Sequence, residues 1–404
     1  MILADNRDTV IMLGGSKLQI PAIKAAQDFG FRVVCADYNP NAIGFEIADG
    51  FSLTSTLDVD AVKKLAEDEK ANFVITSTSD APVETAALVS EKLGLPTGIS
   101  AANAICATQK DEMRLRLEGS NIPMPDFRIC RTVEDFTSAL EYFDYDCIAK
   151  PSDAAASRGV KLITPDDCSE DVDKLFGFFR AFSRKGVVMV EERISGPEVS
   201  VEAITVNGET SILSITDKLT TEPPYFVELG HSEPSRLSAS AQQAIREIAR
   251  KTIAAIGIVS GPSHTEVMLT NDGPKVIETA ARLGGDFITS RLVPLSTGVD
   301  VVKGSVALAL GLPYDFSIKM HRGSAIRFIT ASSPGVLQSI NLHDDVENNP
   351  YVKEVDLYLS AGDHIDTPHS SNDRVGHVVC VGEDAEAAAE TAKAMIDKIE
   401  IGIA

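Results

Sequence analysis

His264-Thr265-Glu266-Val267-Met268-Leu269-Thr270-Asn271-Asp272-Gly273-Pro274-Lys275-Val276-Ile277-Glu278-Thr279-Ala280-Ala281-Arg282-Leu283-Gly284-Gly285-Asp286 reads as two strands joined by a tight turn. Thr270-Asn271-Asp272-Gly273 supplies the turn, because Asn, Asp and Gly tolerate the backbone that hairpins require. An antiparallel pair can set Glu266 and Glu278 side by side on one face. Two carboxylates there repel unless something positive neutralises them. Magnesium bound by one or two carboxylates together with nucleotide phosphates is the usual solution. Arg282 lies four residues beyond the second acid and is followed by Gly284-Gly285. It is placed to clamp a phosphoryl group in transfer, an electrostatic role. The plainer alternative is a salt-bridged hairpin.

Upstream, Cys147-Ile148-Ala149-Lys150 reads as a buried strand that ends on a lysine, which is costly unless the lysine meets an anion. The loop Ser152-Asp153-Ala154-Ala155-Ala156-Ser157-Arg158-Gly159-Val160 follows. Its small residues let backbone N–H groups approach phosphate oxygens, and Arg158 adds a cation. Gln109-Lys110-Asp111-Glu112-Met113 opens a helix; on its own Lys110 reads as a solvated surface residue. The apolar strand Val187 to Val190 runs into Glu191-Glu192-Arg193-Ile194 and then Ser195-Gly196-Pro197-Glu198. Backbone groups at such a strand end can bond an adenine edge, and Glu198 can accept from both ribose hydroxyls.

The first hundred residues alternate apolar runs with helical patterns. Strands are expected at Val10–Leu13, Phe31–Asp37 and Phe73–Thr76, with helices at Ile20–Phe29, Val59–Glu69 and Pro82–Leu93. That alternation implies a doubly wound parallel sheet. Gly14, Gly15 and Asp37 partly fit a dinucleotide-binding turn, but the third spaced glycine is missing. The middle of the chain changes to strands and hairpins, with Asn207-Gly208 joining Val199–Val206 to Thr210–Asp217. Short strands near Ser324–Ile329, Glu354–Leu359 and Val375–Val381 and a helix over Asp384–Ile399 complete a mixed α+β region.

At roughly 150 residues per domain, 404 residues suggest two to three domains. Acidic residues outnumber basic ones, 59 to 37, for a net charge of -22. This argues against broad binding to nucleic acid or an anionic membrane surface. The six cysteines, Cys35, Cys106, Cys130, Cys147, Cys168 and Cys380, form no C-x-x-C pair and read as reduced core residues. Met1 to Val10 lacks the basic and apolar segments of a signal peptide. No apolar stretch reaches the roughly 18 residues of a membrane span. The expected location is cytoplasmic.

Taken in order, Lys110, Lys150 with its loop, Glu191-Glu192, Glu198, Glu266, Glu278 and Arg282 resemble the ATP-grasp superfamily. Pro223-Pro224-Tyr225-Phe226-Val227-Glu228-Leu229-Gly230-His231-Ser232-Glu233-Pro234, His264-Thr265-Glu266 and Ala281-Arg282-Leu283-Gly284-Gly285-Asp286 are similar to its L-amino acid ligase (bacilysin synthetase-like) branch. The resemblance implies a pre-ATP-grasp sheet domain over 1–108, a small lid region over 109–206 and a large region with a closing subdomain over 207–404. It implies that Lys110, Lys150, Ser152, Ser157, Arg158 and Gly159 hold ATP, with Lys218 reaching the terminal phosphate. Glu191, Glu192 and Ile194 would meet adenine, the first two partly through their backbone, and Glu198 the ribose.

By the same resemblance, Glu266 and Glu278 would hold Mg²⁺ or Mn²⁺, and Arg282 would stabilise an acyl-phosphate. Glu228, His231, Gly284, Gly285 and Asp286 would line the substrate pocket. Glu84 would face the amine, and Asp286 would favour a cationic group. Many members carry asparagine two residues after the second metal acid; Ala280 stands there, which puts the number of metal ions in doubt.

The implied reaction is ATP-dependent joining of a small-molecule carboxylate to an amine through an acyl-phosphate, with ADP and phosphate released. A homodimer is the base-rate assembly. The rivals are a purine-biosynthesis or carbamoyl-phosphate-type ligase of the same fold, an NAD-dependent oxidoreductase and a non-catalytic nucleotide-binding module.

Overall fold

The computed structural model describes residues 7–169 and 171–404. Residues 1–6, on which the leader reading partly rests, and the Cys168 side chain lie outside the described residues. The first sheet contains β1 (Thr9–Leu13), β2 (Arg32–Asp37), β3 (Gly50–Leu53) and β4 (Phe73–Ile75), in the order β3-β2-β1-β4. All its pairings are parallel. Helices Ile20–Asp28, Val59–Asp68 and Ala81–Leu93 stand at the expected places. The glycine turn after β1 closes on itself, because Asp37 accepts from the Gly15 N–H at 2.8 Å. Asp37 is therefore engaged within its own turn.

A second, antiparallel sheet comprises β5 (Phe127–Cys130), β6 (Cys147–Pro151), β7 (Lys161–Ile163) and β8 (Val188–Glu192), ordered β5-β8-β6-β7. Helices Val133–Tyr142 and Val172–Ala181 cover it with Phe136, Leu140, Phe176 and Phe179. Next come β9 (Glu198–Val206), β10 (Glu209–Thr220), β11 (Glu228–Glu233), β12 (Gly261–Thr270), β13 (Gly273–Ala280) and β14 (Gly323–Ile329). They are followed by β15 (Gly335–Leu342), β16 (Val352–Leu357), β17 (His364–Ile365), β18 (Gly376–Gly382) and β19 (Ile399–Ile403). The large sheet runs β13-β12-β9-β10-β11-β14-β18-β16, and β17-β15-β19 form a small fourth sheet. β9, grouped by sequence with the central region, thus lies in the large sheet between β10 and β12. The last helix spans Ala385–Ile396 and stops short of Ile399, which begins β19 and pairs with β15.

Strand alternation decides which face of the large sheet is chemical. On β9, Val199, Val201 and Ala203 turn toward the helix Ala239–Ile256 and pack with its Ile245, Ile248, Ile253 and Ile256. Glu198, Ser200 and Glu202 take the opposite face. Further along that face, Ile204 joins a core shared with Val10, Met12 and Val33 of the first sheet. The polar face is thereby enclosed between the two sheets. Among the described residues no single helix is long and apolar enough to cross a membrane.

Candidate active site

Strand register brings the acids together. Glu266 faces Glu278 across the β12–β13 pair, and His264 faces Ala280. On the other side of β12, His264 faces Glu202 and Glu266 faces Ser200 of β9. Each site carboxylate meets a cation. Lys110 Nζ lies 3.0 Å from Glu278, and Lys218 Nζ lies 2.6 Å from Glu198, 3.0 Å from Glu266 and 3.8 Å from Glu228. Burial alone would lower both ammonium pKa values. Glu278 outweighs it at Lys110, and Glu198 and Glu266 do so at Lys218, so both lysines are held above the usual range. His264 Nδ1 sits 2.5 Å from Glu202, which overcomes burial and raises the imidazole to about 9. Lys218 and His264 in turn hold Glu266 well below its usual value against the effect of burial.

Lys150 is fixed by a second cluster. Its Nζ lies 2.7 Å from Glu191, which Arg114 also grips at 2.9 and 3.0 Å. Burial would raise Glu191, but Arg114 and Lys150 outweigh it and bring the carboxyl down to about 2. One carboxylate shared by two cations leaves the lysine short of charge. Burial therefore outweighs Glu191 at Lys150, Arg114 and Lys110 add repulsion, and its pKa falls. The Glu191 side chain is thus an anchor buried in the second sheet, held between Arg114 and Lys150. β8 is also paired on both sides at Glu191, with Phe127 and Ile148. Glu192 bonds the Asp126 N–H and Lys275, and Ile194 follows beyond the strand end, partly exposed.

Arg114→Met is expected to destabilise the chain by about 3 kcal/mol, because it strips a buried carboxylate of one partner. A lowered urea midpoint with the slope unchanged is the readout. Acid shows the same link. The Glu191 contribution is complete above its ordinary 4.5 and fades as pH falls toward about 2. The wild type should therefore lose more stability over that window than Arg114→Met.

The first sheet contributes Asp80, which accepts from Arg282 Nε and Nη2 at 2.8 and 3.1 Å. Asp80, Gln109, Lys110, Ala154, Arg158 and Glu278 are among the residues lining a cavity of about 320 Å³. Glu84 stands one turn further on and accepts from Gln109 at 3.1 Å. Asp80, in the turn after β4, is thus the acid that touches Arg282, and Glu84 meets the cavity wall through Gln109.

The small-residue loop divides into separate roles. Lys110 Nζ donates to the Ala154 carbonyl at 2.8 Å. Ser152 is buried and its hydroxyl is taken by Asp111, so it fixes the start of the Lys110 helix and is turned away from the cavity. Gly159 has φ +71, and a Cβ there would fall 2.7 Å from the Phe182 ring, so it serves packing. Ser157 reaches Glu228 at 3.4 Å.

Beyond Lys218 lies a polar cluster completed from the C-terminal region. Glu228 accepts from Ser371 Oγ at 2.5 Å. Asp286 accepts from both Arg374 Nη atoms at 2.7 Å and lies 3.2 Å from His231 Nε2. Arg374 also lies 3.6 Å over the Phe328 ring. Burial would raise Asp286; Arg374 and then His231 reverse this and hold it far below the carboxylate range. Asp286 is therefore already neutralised and presents no unpaired negative charge to a cationic group. Gly284 donates its N–H to Glu202 at 3.2 Å, and a Cβ there would sit 2.6 Å from that carboxylate. Gly285 has open space where a Cβ would stand. Asp80, Arg114, Glu202, Ser371 and Arg374 carried no local sequence signal, since each acts through a partner distant in the chain.

Residues 143–290 match the ATP-grasp domain family, and residues 327–404 match the L-amino acid ligase C-terminal domain 2. The alanine–anticapsin ligase of Bacillus subtilis (strain 168) is 30% identical over 248 residues, covering 56% of this chain and 52% of that protein. A formate-dependent phosphoribosylglycinamide formyltransferase from Rhodococcus jostii (strain RHA1) is 26% identical over 412 residues, covering 97% and 94%. An L-amino acid ligase structure from Bacillus licheniformis superposes with a TM-score of 0.83 at 22% identity, over 99% of this chain and all of that one. The chain thus carries an ATP-grasp domain over residues 143–290 and an L-amino acid ligase C-terminal domain 2 over residues 327–404.

Proposed function

We propose that the chain joins two amino-acid-type substrates, one through its carboxylate and the other through its amine. The observation that carries this is the facing pair Glu266 and Glu278, each on a lysine, with Arg282 just beyond. Every cation there has a carboxylate partner, so partners can be exchanged without stranding a charge. Phosphate oxygens would take Lys110 and Lys218 while a divalent cation takes Glu266 and Glu278. The all-oxygen donor pair fits Mg²⁺ or Mn²⁺. Bound between them, that ion would neutralise phosphate charge. Ala280 supplies no further ligand.

In the first step the substrate carboxylate attacks the γ-phosphorus of ATP, giving an acyl-phosphate and ADP. In the second an amine attacks the acyl carbon and phosphate leaves. Lys110, Lys150 and Lys218 position the phosphates, with Arg158 at the cavity wall. Ile194 and the backbone near Glu192 border the base, and Glu198 the ribose. Arg282 stabilises the charge that develops in transfer. Glu228, His231 and Gly285 border the acceptor pocket. Asp286 can only accept from His231 Nε2–H, which leaves Nδ1 as an acceptor. That atom is buried and has no partner among the described residues.

The test is phosphate release with ATP and Mg²⁺ against the twenty L-amino acids, singly and in pairs. Release with particular pairs, dependent on Mg²⁺, is the expected result. Silence across the matrix with turnover on a ribonucleotide amine plus formate or bicarbonate would replace the amino-acid reading with the purine-type one.

A further inference from the structure

At the edge of the large sheet lies a cluster that the ligase chemistry does not use. His377 on β18 is fully buried, and its Nδ1 lies 2.6 Å from the Tyr358 hydroxyl. Its Nε2 points at Glu354 Oε1 on β16 from 3.4 Å, without hydrogen-bond geometry. Nε2 has no hydrogen-bond partner among the described residues. Asp356 is the direct strand partner of His377. One ligand atom each from Glu354, Asp356 and His377 lie within 4.8 Å of one another, and no other such trio occurs among the described residues.

We propose that His377 Nε2, Glu354 and Asp356 form a site for a divalent transition cation of the zinc class, separate from the nucleotide site. One imidazole nitrogen with two carboxylate oxygens suits Zn²⁺ or Co²⁺ better than Mg²⁺ or Ca²⁺, which favour oxygen alone. Tyr358 supplies the outer contact that ligating histidines have on their second nitrogen. With Nδ1–H donated to Tyr358, Nε2 presents a lone pair to a carboxylate, an arrangement that a cation resolves.

Arg291 and Lys17 pair with Glu354 and Asp356. The Lys17 side chain is 52% exposed, so it can swing into water when a metal takes Asp356. Lys17 belongs to the first turn of the N-terminal sheet, so the ion would alter how that turn is held to the sheet edge. The His377 ring also lies tilted against Phe287, with centroids 4.4 Å apart, and Phe287 is the neighbour of Asp286. Metal ligation would fix this ring.

The full chain, stripped with EDTA, is titrated with Co²⁺ and Zn²⁺ without nucleotide. One saturable equivalent with visible Co²⁺ absorption is expected, and it should persist in Glu278→Ala. Asp356→Asn and Glu354→Gln should each weaken binding at least about tenfold, and Tyr358→Phe by about 10- to 100-fold. Both carboxylates are partly exposed, so these variants should keep the wild-type circular dichroism. Absence of a saturable equivalent would overturn the proposal and leave a plain buried His–Glu contact. Binding that survives the Asp356→Asn/Glu354→Gln double variant, or that vanishes in Glu278→Ala, would overturn it equally.

Discussion

Glu278→Ala is expected to cut ADP formation at least about 10³-fold while the chain stays folded. Glu278 does two things in the geometry. It faces Glu266 across β12–β13, and it holds Lys110 at 3.0 Å on the cavity wall. Removing it takes away one of the two carboxylates proposed to hold the metal and leaves a lysine, 14% exposed, without its main partner. The fold should survive, because β13 pairs through its backbone and the Glu278 side chain is partly exposed. The core residues of that strand lie on the other face, at Val276. Coupled ADP release, with thermal unfolding as the control, measures both. Turnover within tenfold of wild type would remove the metal role from Glu278. Loss of activity together with a large drop in melting temperature would make the residue structural.

The facing of Glu266 and Glu278 was legible because strand period, a turn signal and two acids sit within one short segment. The parallel N-terminal sheet was legible for the same reason, since its elements each carry a local pattern. What lies far apart in the chain was not. Arg114 reaches Glu191 across 77 positions, Arg374 reaches Asp286 across 88 and Arg282 reaches Asp80 across 202. Local sequence says only that such residues are charged, and which partner each finds is decided when sheets pack.

That is why the Glu191 side chain gave no sign of its ion pairs with Arg114 and Lys150, and why Asp286 read as an open charge and proved to be clamped. β11 escaped notice for a related reason. Glu228-Leu229-Gly230-His231-Ser232-Glu233 shows no apolar alternation, because its buried side chains meet polar neighbours. Among them is Glu233, whose pKa is raised to about 8 by burial. The helix Ala239–Ile256, by contrast, has a local signal that could have been read. Ser238 caps its start, Gly257 ends it, and Ile245, Ile248, Ala249, Thr252, Ile253 and Ile256 repeat at helical spacing.

Arg282→Ala should lower kcat by about 10²- to 10³-fold and change ATP affinity by less than about threefold. The asymmetry follows from what already holds the nucleotide. On the proposed function Lys110, Lys150 and Lys218 would meet the phosphates in the ground state, so one further cation would add little to binding. Its effect belongs to the moment when charge moves onto the transferring group. Burial would lower the Arg282 pKa, but Asp80 and Glu278 outweigh this and keep it charged. Asp80 also fixes its direction through two hydrogen bonds, leaving Nη1 on the Leu283 carbonyl. Asp80→Asn should therefore lower kcat by a smaller factor, because the guanidinium keeps its charge but loses its aim. In the double variant the Asp80 effect should vanish, since there is nothing left to position. Equal losses in kcat and ATP affinity for Arg282→Ala would instead make it a phosphate anchor. Additive losses in the pair would show that Asp80 acts on something else.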